Sequence, residues 1–287
     1  MAMKTFAFAL LIGWGALASP SVAQVGRNAK IDLSLRVEHD SNVARSSSAL
    51  ATARGVALSD TLVSPEAAID FSRSIGRNSL FLKGKVGYTF YERNTGLNKE
   101  TADIQGGLGT RVGPCQGSLN STFGRRRREI GDLETVDTTA TQTTTSVTAG
   151  TVCGLSGGLG VSLSASQVWG SAEGGVQNLD YESTSYNAGL VYRRSALGEA
   201  RIFYSHGETE YEDVAGALGR PGFETDSVGL SYSRALGSRL TGTAMVSQTE
   251  AKSTSTTAGS SGDFSGTNYA LSASYRPSSR LDISLGL

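Results

Sequence analysis

Long hydrophobic runs are what this 287-residue chain most conspicuously lacks: past Leu17 no stretch approaches 18 consecutive apolar residues, so no later helix could cross a bilayer. An excess of charge is missing too. Lys plus Arg number 26 and Asp plus Glu number 26, which removes the electrostatic footprint of a nucleic-acid binder, and no nucleic-acid partner is expected. Histidine is confined to His39 and His206, a thin supply for general acid–base work. No nucleotide-binding glycine motif, zinc signature or calcium loop is present, so neither a cofactor nor a metal is expected. Proline occurs five times and cysteine twice.

What is abundant is glycine, at 36 residues, with much Ser and Thr and ten Tyr. That mixture favours twisted strands over helices. The N-terminus carries Lys4, an apolar run from Phe6 to Leu17, and the small-residue stretch Ser21-Val22-Ala23 before Gln24, the three parts of a secretory signal. The run is shorter than the roughly 20 residues of a spanning helix. Residues 1–23 are therefore expected to be a signal peptide cleaved after Ala23, and residues 24–287 one exported domain.

Period-two alternation runs through that domain. Leu80, Leu82, Val86, Tyr88 and Phe90 alternate with Phe81, Lys83, Lys85, Gly87 and Thr89, and the same holds for Ile31-Leu33-Leu35-Val37 and Tyr269-Leu271-Ala273-Tyr275. Thirteen strands are predicted, near 30–39, 60–73, 79–91, 101–111, 116–128, 135–152, 157–169, 180–193, 199–211, 223–234, 239–250, 267–276 and 280–287. Short turns near 74–78, 112–115, 153–156, 194–198, 235–238 and 277–279 alternate with long polar loops near 40–59, 92–100, 129–134, 171–179, 212–222 and 251–266. Such strict alternation predicts an all-β, antiparallel, up-and-down transmembrane β-barrel in the outer membrane, with short periplasmic turns and a periplasmic N-terminus.

The short turns resemble one another. Phe71-Ser72-Arg73, Tyr192-Arg193-Arg194, Tyr232-Ser233-Arg234 and Tyr275-Arg276-Pro277 each place an aromatic where a ring could lie at headgroup level with an Arg beyond it, an aromatic girdle. The thirteenth strand starts on the short-turn side and ends at Leu287 without the terminal Phe or Trp that the barrel assembly machinery usually engages. An incomplete barrel is expected, of about 14 to 18 strands in full. Cys115 and Cys153 bracket one hairpin at the short-turn rim, and in an exported chain a disulfide is the default pairing.

If the apolar residues face lipid, the intervening ones face an interior. Arg36, Glu66, Asp70, Lys83, Lys85, Asp103, Arg126 and Arg201 are the expected pore-lining residues, with both signs interleaved. The run Arg125-Arg126-Arg127-Arg128 is suited to lipopolysaccharide phosphates on its lipid-facing members and to an anion path on the others. His206, in phase with Ala200, Ile202 and Tyr204, lies where a membrane lipid hydrolase would hold its base, but no serine can be singled out as its nucleophile, and no enzymatic activity is expected.

The segment Glu38-His39-Asp40-Ser41-Asn42-Val43, the later Gly87-Tyr88-Thr89-Phe90-Tyr91 and the Arg-rich turns resemble the proteobacterial outer-membrane family called beta-barrel porin 2. The resemblance implies an outer-membrane barrel, linked in some members to exopolysaccharide gene clusters, and brings no catalytic residues. The function expected is a passive pore for small hydrophilic solutes or an aid to polysaccharide export; the alternatives are a non-conducting structural partner of a secretion system and, least favoured, a lipid hydrolase. Outer-membrane lipid and lipopolysaccharide, the assembly machinery, and small solutes or polysaccharide are the expected partners.

Overall fold

A computed structural model describes residues 28–129, 139–173, 180–194, 196–212, 222–254, 263–278 and 281–286. The expected signal peptide, most of the later long loops and Leu287 lie outside them. Thirteen strands follow in order: β1 (Asn28–Asp40), β2 (Asp60–Ile75), β3 (Asn78–Tyr91), β4 (Lys99–Val112), β5 (Cys115–Glu129), β6 (Thr139–Gly154), β7 (Leu159–Glu173), β8 (Tyr181–Arg194), β9 (Gly198–Tyr211), β10 (Phe223–Leu236), β11 (Leu240–Ser253), β12 (Phe264–Ser278) and β13 (Leu281–Gly286). Each pairs antiparallel with the next in one sheet, the meander that hairpin connections produce. Among the described residues β1 and β13 do not pair with each other, so the sheet is an open, incomplete barrel.

Strand order and number agree with the alternation read from sequence. The strands overrun their expected ends farthest on the long-loop side, where β7 continues to Glu173, β11 to Ser253 and β12 begins at Phe264. Small and polar residues, Gly, Ala, Ser, Glu and Lys, fill nearly all of these extensions and blur the apolar–polar pattern, while the backbone ladder continues regardless of side chain.

Among the described residues two of the short turns are two residues long, Gly76-Arg77 and Gly113-Pro114, each opening with a glycine at positive φ, 59° and 57°. That backbone matches the twist of a tight hairpin and is open to glycine at little cost.

Register assigns every strand residue to one of two faces, because directly paired residues point the same way. Pairings such as Ile31 with Ile69, Phe71 with Leu82, Leu80 with Leu108, Val161 with Leu190, Ile202 with Leu230 and Val246 with Tyr269 trace one apolar face around the sheet. Of the large hydrophobic strand residues exposed to solvent, all except Phe264 lie on it, Leu33 being 79% exposed. The described residues bury just four hydrophobic side chains, Ala51, Tyr91, Val191 and Phe203. Burying one such side chain is worth roughly 1.5–3 kcal/mol. A water-soluble fold would place them inside; here they form an outer belt to which every strand but β6 contributes, the arrangement of a sheet that meets hydrocarbon.

Aromatics border the belt. On the short-turn side the Tyr192 ring lies 5.8 Å beneath the Arg194 guanidinium, and the Tyr232 hydroxyl donates to the Leu197 carbonyl at 2.5 Å.

On the opposite rim the first long loop is built, not merely polar. It contains a helix, α1 (Ser48–Ala53), which the sequence reading did not anticipate. The Ser47 side chain caps it by accepting from Leu50 N–H, and Ala51 is its buried residue. The loop is pinned by Asp60, fully buried, whose carboxylate accepts backbone N–H donors from Thr61 at 2.8 Å, Arg93 at 3.0 Å and Asn94 at 2.8 Å. Asn94 in turn bonds both backbone groups of Ala57, accepting at 2.7 Å and donating at 3.0 Å. Replacing Asp60 by Ala strips three donors of their acceptor, at about 1–3 kcal/mol for each one left unsatisfied. The expected outcome is faster proteolysis within residues 41–59 with the β-sheet circular dichroism retained.

Candidate functional site

The face opposite the apolar belt is polar and concave. Hydroxyl pairs link its neighbouring strands: Ser64 to Thr89 at 3.1 Å, Thr122 to Ser146 at 2.6 Å, Thr148 to Ser166 at 2.9 Å, Ser183 to Thr209 at 2.9 Å and Ser227 to Thr249 at 2.8 Å. Such pairs satisfy the polar groups of this wall across neighbouring strands. Among the apolar exceptions are aromatic rings laid over glycines. Phe203, 5% exposed, covers Gly229, where a Cβ would come within 2.4 Å of the ring; Phe81 covers Gly107 in the same way, at 2.3 Å. Each glycine lets a bulky side chain lie flat along the wall.

All eight residues expected to line a pore lie on this face: Arg36 on β1, Glu66 and Asp70 on β2, Lys83 and Lys85 on β3, Asp103 on β4, Arg126 on β5 and Arg201 on β9. They do not converge on one site. Asp70 and Lys83 are direct cross-strand partners and form an ion pair at 3.5 Å, and Lys85 stands opposite Asp103. Arg36 is on the edge strand. Arg126 stands near the long-loop rim, across from Thr101 and Gln142, and Arg201 near the short-turn rim. The middle of the wall is thus charge-matched.

Near the short-turn rim the wall curls into a cavity of about 670 Å³ that draws residues from β3 through β9. Arg77, Arg111, Arg193 and Arg201 line it together with Gln116 and Asn120. Arg193 donates to Glu199 at 2.7 Å, and Arg201 lies 3.6 Å from the same carboxylate. Reading the sequence singled out Arg201 alone of these. Arg193 was legible as a member of the turn repeat, but the convergence of the four arginines depends on sheet curvature, which alternation does not encode.

The four-arginine run divides by face. Arg125 and Arg127 are on the apolar side: Arg125 pairs with Glu100 across β4, and Arg127 donates from Nη1 to the Asn98 carbonyl at 2.7 Å. These contacts join β5 to the second long loop.

His206 is on the outer face just past the belt, as its phase with Ile202 and Tyr204 implied. Its Nδ1 lies 3.0 Å from Asp226 and 3.8 Å from Glu224, and the Tyr204 hydroxyl donates to the same Asp226 oxygen at 2.5 Å. One ligand atom from each of His206, Glu224 and Asp226 falls within 4.8 Å of the others. Sequence reading missed this grouping because it forms across the β9–β10 pairing of His206 with Asp226.

Cys115 and Cys153 form the expected disulfide, joining β5 and β6 at the short-turn rim on the outer face.

No protein-family model matches the chain, and no curated protein does. The resemblance to the beta-barrel porin 2 family therefore rests on the segments Glu38–Val43 and Gly87–Tyr91 and on the turns. Among solved structures the chain is similar to the FrpB iron transporter from Neisseria meningitidis, at 13% identity and a TM-score of 0.48, over 91% of this chain and 46% of that one. It is similar to the β domain of the Bordetella autotransporter BrkA, at 14% identity and a TM-score of 0.37, over 74% of this chain and 89% of that one. A loop-deletion form of OmpT, an outer membrane protein of Vibrio cholerae, is matched at 10% identity and a TM-score of 0.42, over 86% of this chain and 99% of that one. The chain spans about half the length of the iron transporter.

The 38-residue separation of the cysteines bounds what their bond can contribute. Loop-closure entropy gives about 4 kcal/mol as an upper figure, since β5 and β6 are already paired along their length. Serine at both positions is expected to leave the sheet's circular dichroism unchanged and to lower the unfolding free energy in detergent by less than that amount, as measured by urea titration.

Proposed function

We propose that this chain forms the wall of an outer-membrane β-barrel that conducts small hydrophilic solutes by passive diffusion. The observation that carries the reading is the inversion of the two faces: an apolar belt outside and a concave wall of hydroxyls, amides and matched charges inside. The apolar face supports a place in lipid, and the polar face supports a water path. Arg36, Glu66, Asp70, Lys83, Lys85, Asp103, Arg126 and Arg201 are the pore-lining residues in this account, and no enzymatic step is assigned to the chain.

Conduction sets a condition on the edges. In hydrocarbon each unpaired backbone N–H or C=O costs several kcal/mol, so β1 and β13 must be closed in the conducting form, by each other, by further strands or by another chain. Orientation follows the usual rule for such barrels, with short turns and N-terminus periplasmic and long loops outside. The partners are then outer-membrane lipid, lipopolysaccharide at the long-loop rim and the barrel assembly machinery during insertion. Assistance to exopolysaccharide export is a more specific form of the same proposal, motivated by the family resemblance.

The test is single-channel recording from the full chain reconstituted in planar bilayers, with heat-modifiable migration on gels as the check of folding. Stable conductance steps are expected. A folded, heat-modifiable barrel that never conducts would contradict the pore and favour a structural partner of a polysaccharide-secretion system.

A further inference from the structure

We propose that the short-turn end of this conduit is an anion filter, selecting small solutes that carry carboxylate or phosphate groups. The inference rests on the pore reading above and names its substrate class.

The argument begins with where charge is left unbalanced. Along the middle of the inner wall, Asp70 answers Lys83 and Asp103 stands opposite Lys85. Along β10 and β11 the inner face is Thr225, Ser227, Gly229, Ser231 and Ser233, then Thr241, Thr243, Met245, Ser247 and Thr249, without an ionisable group. The cavity at the short-turn rim differs. Four arginines line it, and two of them, Arg193 and Arg201, share the carboxylate of Glu199. Among the described residues of this cavity, one neighbouring carboxylate stands against four arginines, and the cavity carries a net positive charge.

Placement is fixed by the backbone. Arg77 occupies the two-residue turn after Gly76, and Arg111 precedes the turn at Gly113 and faces Gln116. Arg193 pairs across its turn with Glu199, and Arg201 lies between Val191 and Ser231. Val191 and the nearby Phe203 are buried, which holds β8 and β9 together beneath Arg193 and Arg201.

The chemistry of the group favours anions that are recognised through oxygen pairs. Guanidinium stays charged at any physiological pH, is weakly hydrated and presents a planar fork matched to carboxylate or phosphate. At 0.1 M salt the Debye length is about 10 Å, comparable to the width of so small a cavity, and its low-dielectric walls focus the field inside. Cations are therefore excluded from the same space that concentrates anions. Gln116 and Asn120 supply neutral hydrogen bonds that can exchange with a solute's water shell.

The test measures zero-current potential across planar bilayers in a potassium chloride gradient, followed by addition of inorganic phosphate to the short-turn side. The wild-type chain should give a chloride-over-potassium permeability ratio above one, and phosphate should reduce the chloride current. In the Arg111→Gln, Arg201→Gln double variant the ratio should fall to one and the phosphate effect should vanish. The corresponding Lys double variant should keep the ratio, and Glu199→Gln should raise it. Heat-modifiable migration confirms folding of each variant. A wild-type channel that is unselective or prefers potassium, or a Gln variant that keeps the wild-type ratio, overturns the anion filter while leaving the pore intact. Absence of any conductance in a folded wild-type chain overturns the pore and the filter with it.

Discussion

Backbone hydrogen bonding in a medium without water is the constraint from which the rest follows. A strand placed in hydrocarbon must have both edges satisfied by neighbours, and a meander of consecutive hairpins supplies those neighbours with the shortest connections. Twelve antiparallel pairings run from β1 to β13 in chain order. With the backbone satisfied in this way, side chains need only suit their surroundings, apolar toward lipid and polar toward water. The scarcity of a hydrophobic core, unusual for a chain of this length, is the direct consequence.

That division of labour explains how much could be read from the sequence. Alternation such as Leu80-Leu82-Val86-Tyr88-Phe90 identifies a half-apolar strand because its period is two, and the spacing of Tyr-x-Arg turns counts hairpins. Face assignments for Arg36, Glu66, Asp70, Lys83, Lys85, Asp103, Arg126 and Arg201 followed from the same phase. What alternation cannot carry is information across strands that are distant in the chain. The grouping of Arg77 with Arg201 depends on curvature, and the His206–Asp226 contact depends on β9–β10 register. Helix α1 escaped for another reason: Ser48–Ala53 is too short for helical periodicity to appear, and it is held by the Ser47 cap and by the Asp60 and Asn94 anchors of its loop.

The two rims serve different ends. On the long-loop rim, Asp60 and Asn94 give the first two loops a defined shape, while Arg125 and Arg127 tie β5 to β4 and the second loop. The short-turn rim is constrained by two-residue turns and by the Cys115–Cys153 bond, and Arg77, Arg111, Arg193 and Arg201 gather on this side. In the proposed pore, charge matching along the middle of the wall and charge excess at the short-turn cavity make selectivity local.

The central claim, that the apolar face meets acyl chains, is tested most directly by Trp169. It is the one tryptophan outside the N-terminal apolar segment, and it lies on the outer face, 44% exposed. Fluorescence of the chain reconstituted in bilayers of brominated phospholipid should be strongly quenched relative to unbrominated lipid, with little quenching by aqueous iodide. Emission that ignores bromine on the acyl chains and responds to iodide would place Trp169 in water and contradict the account.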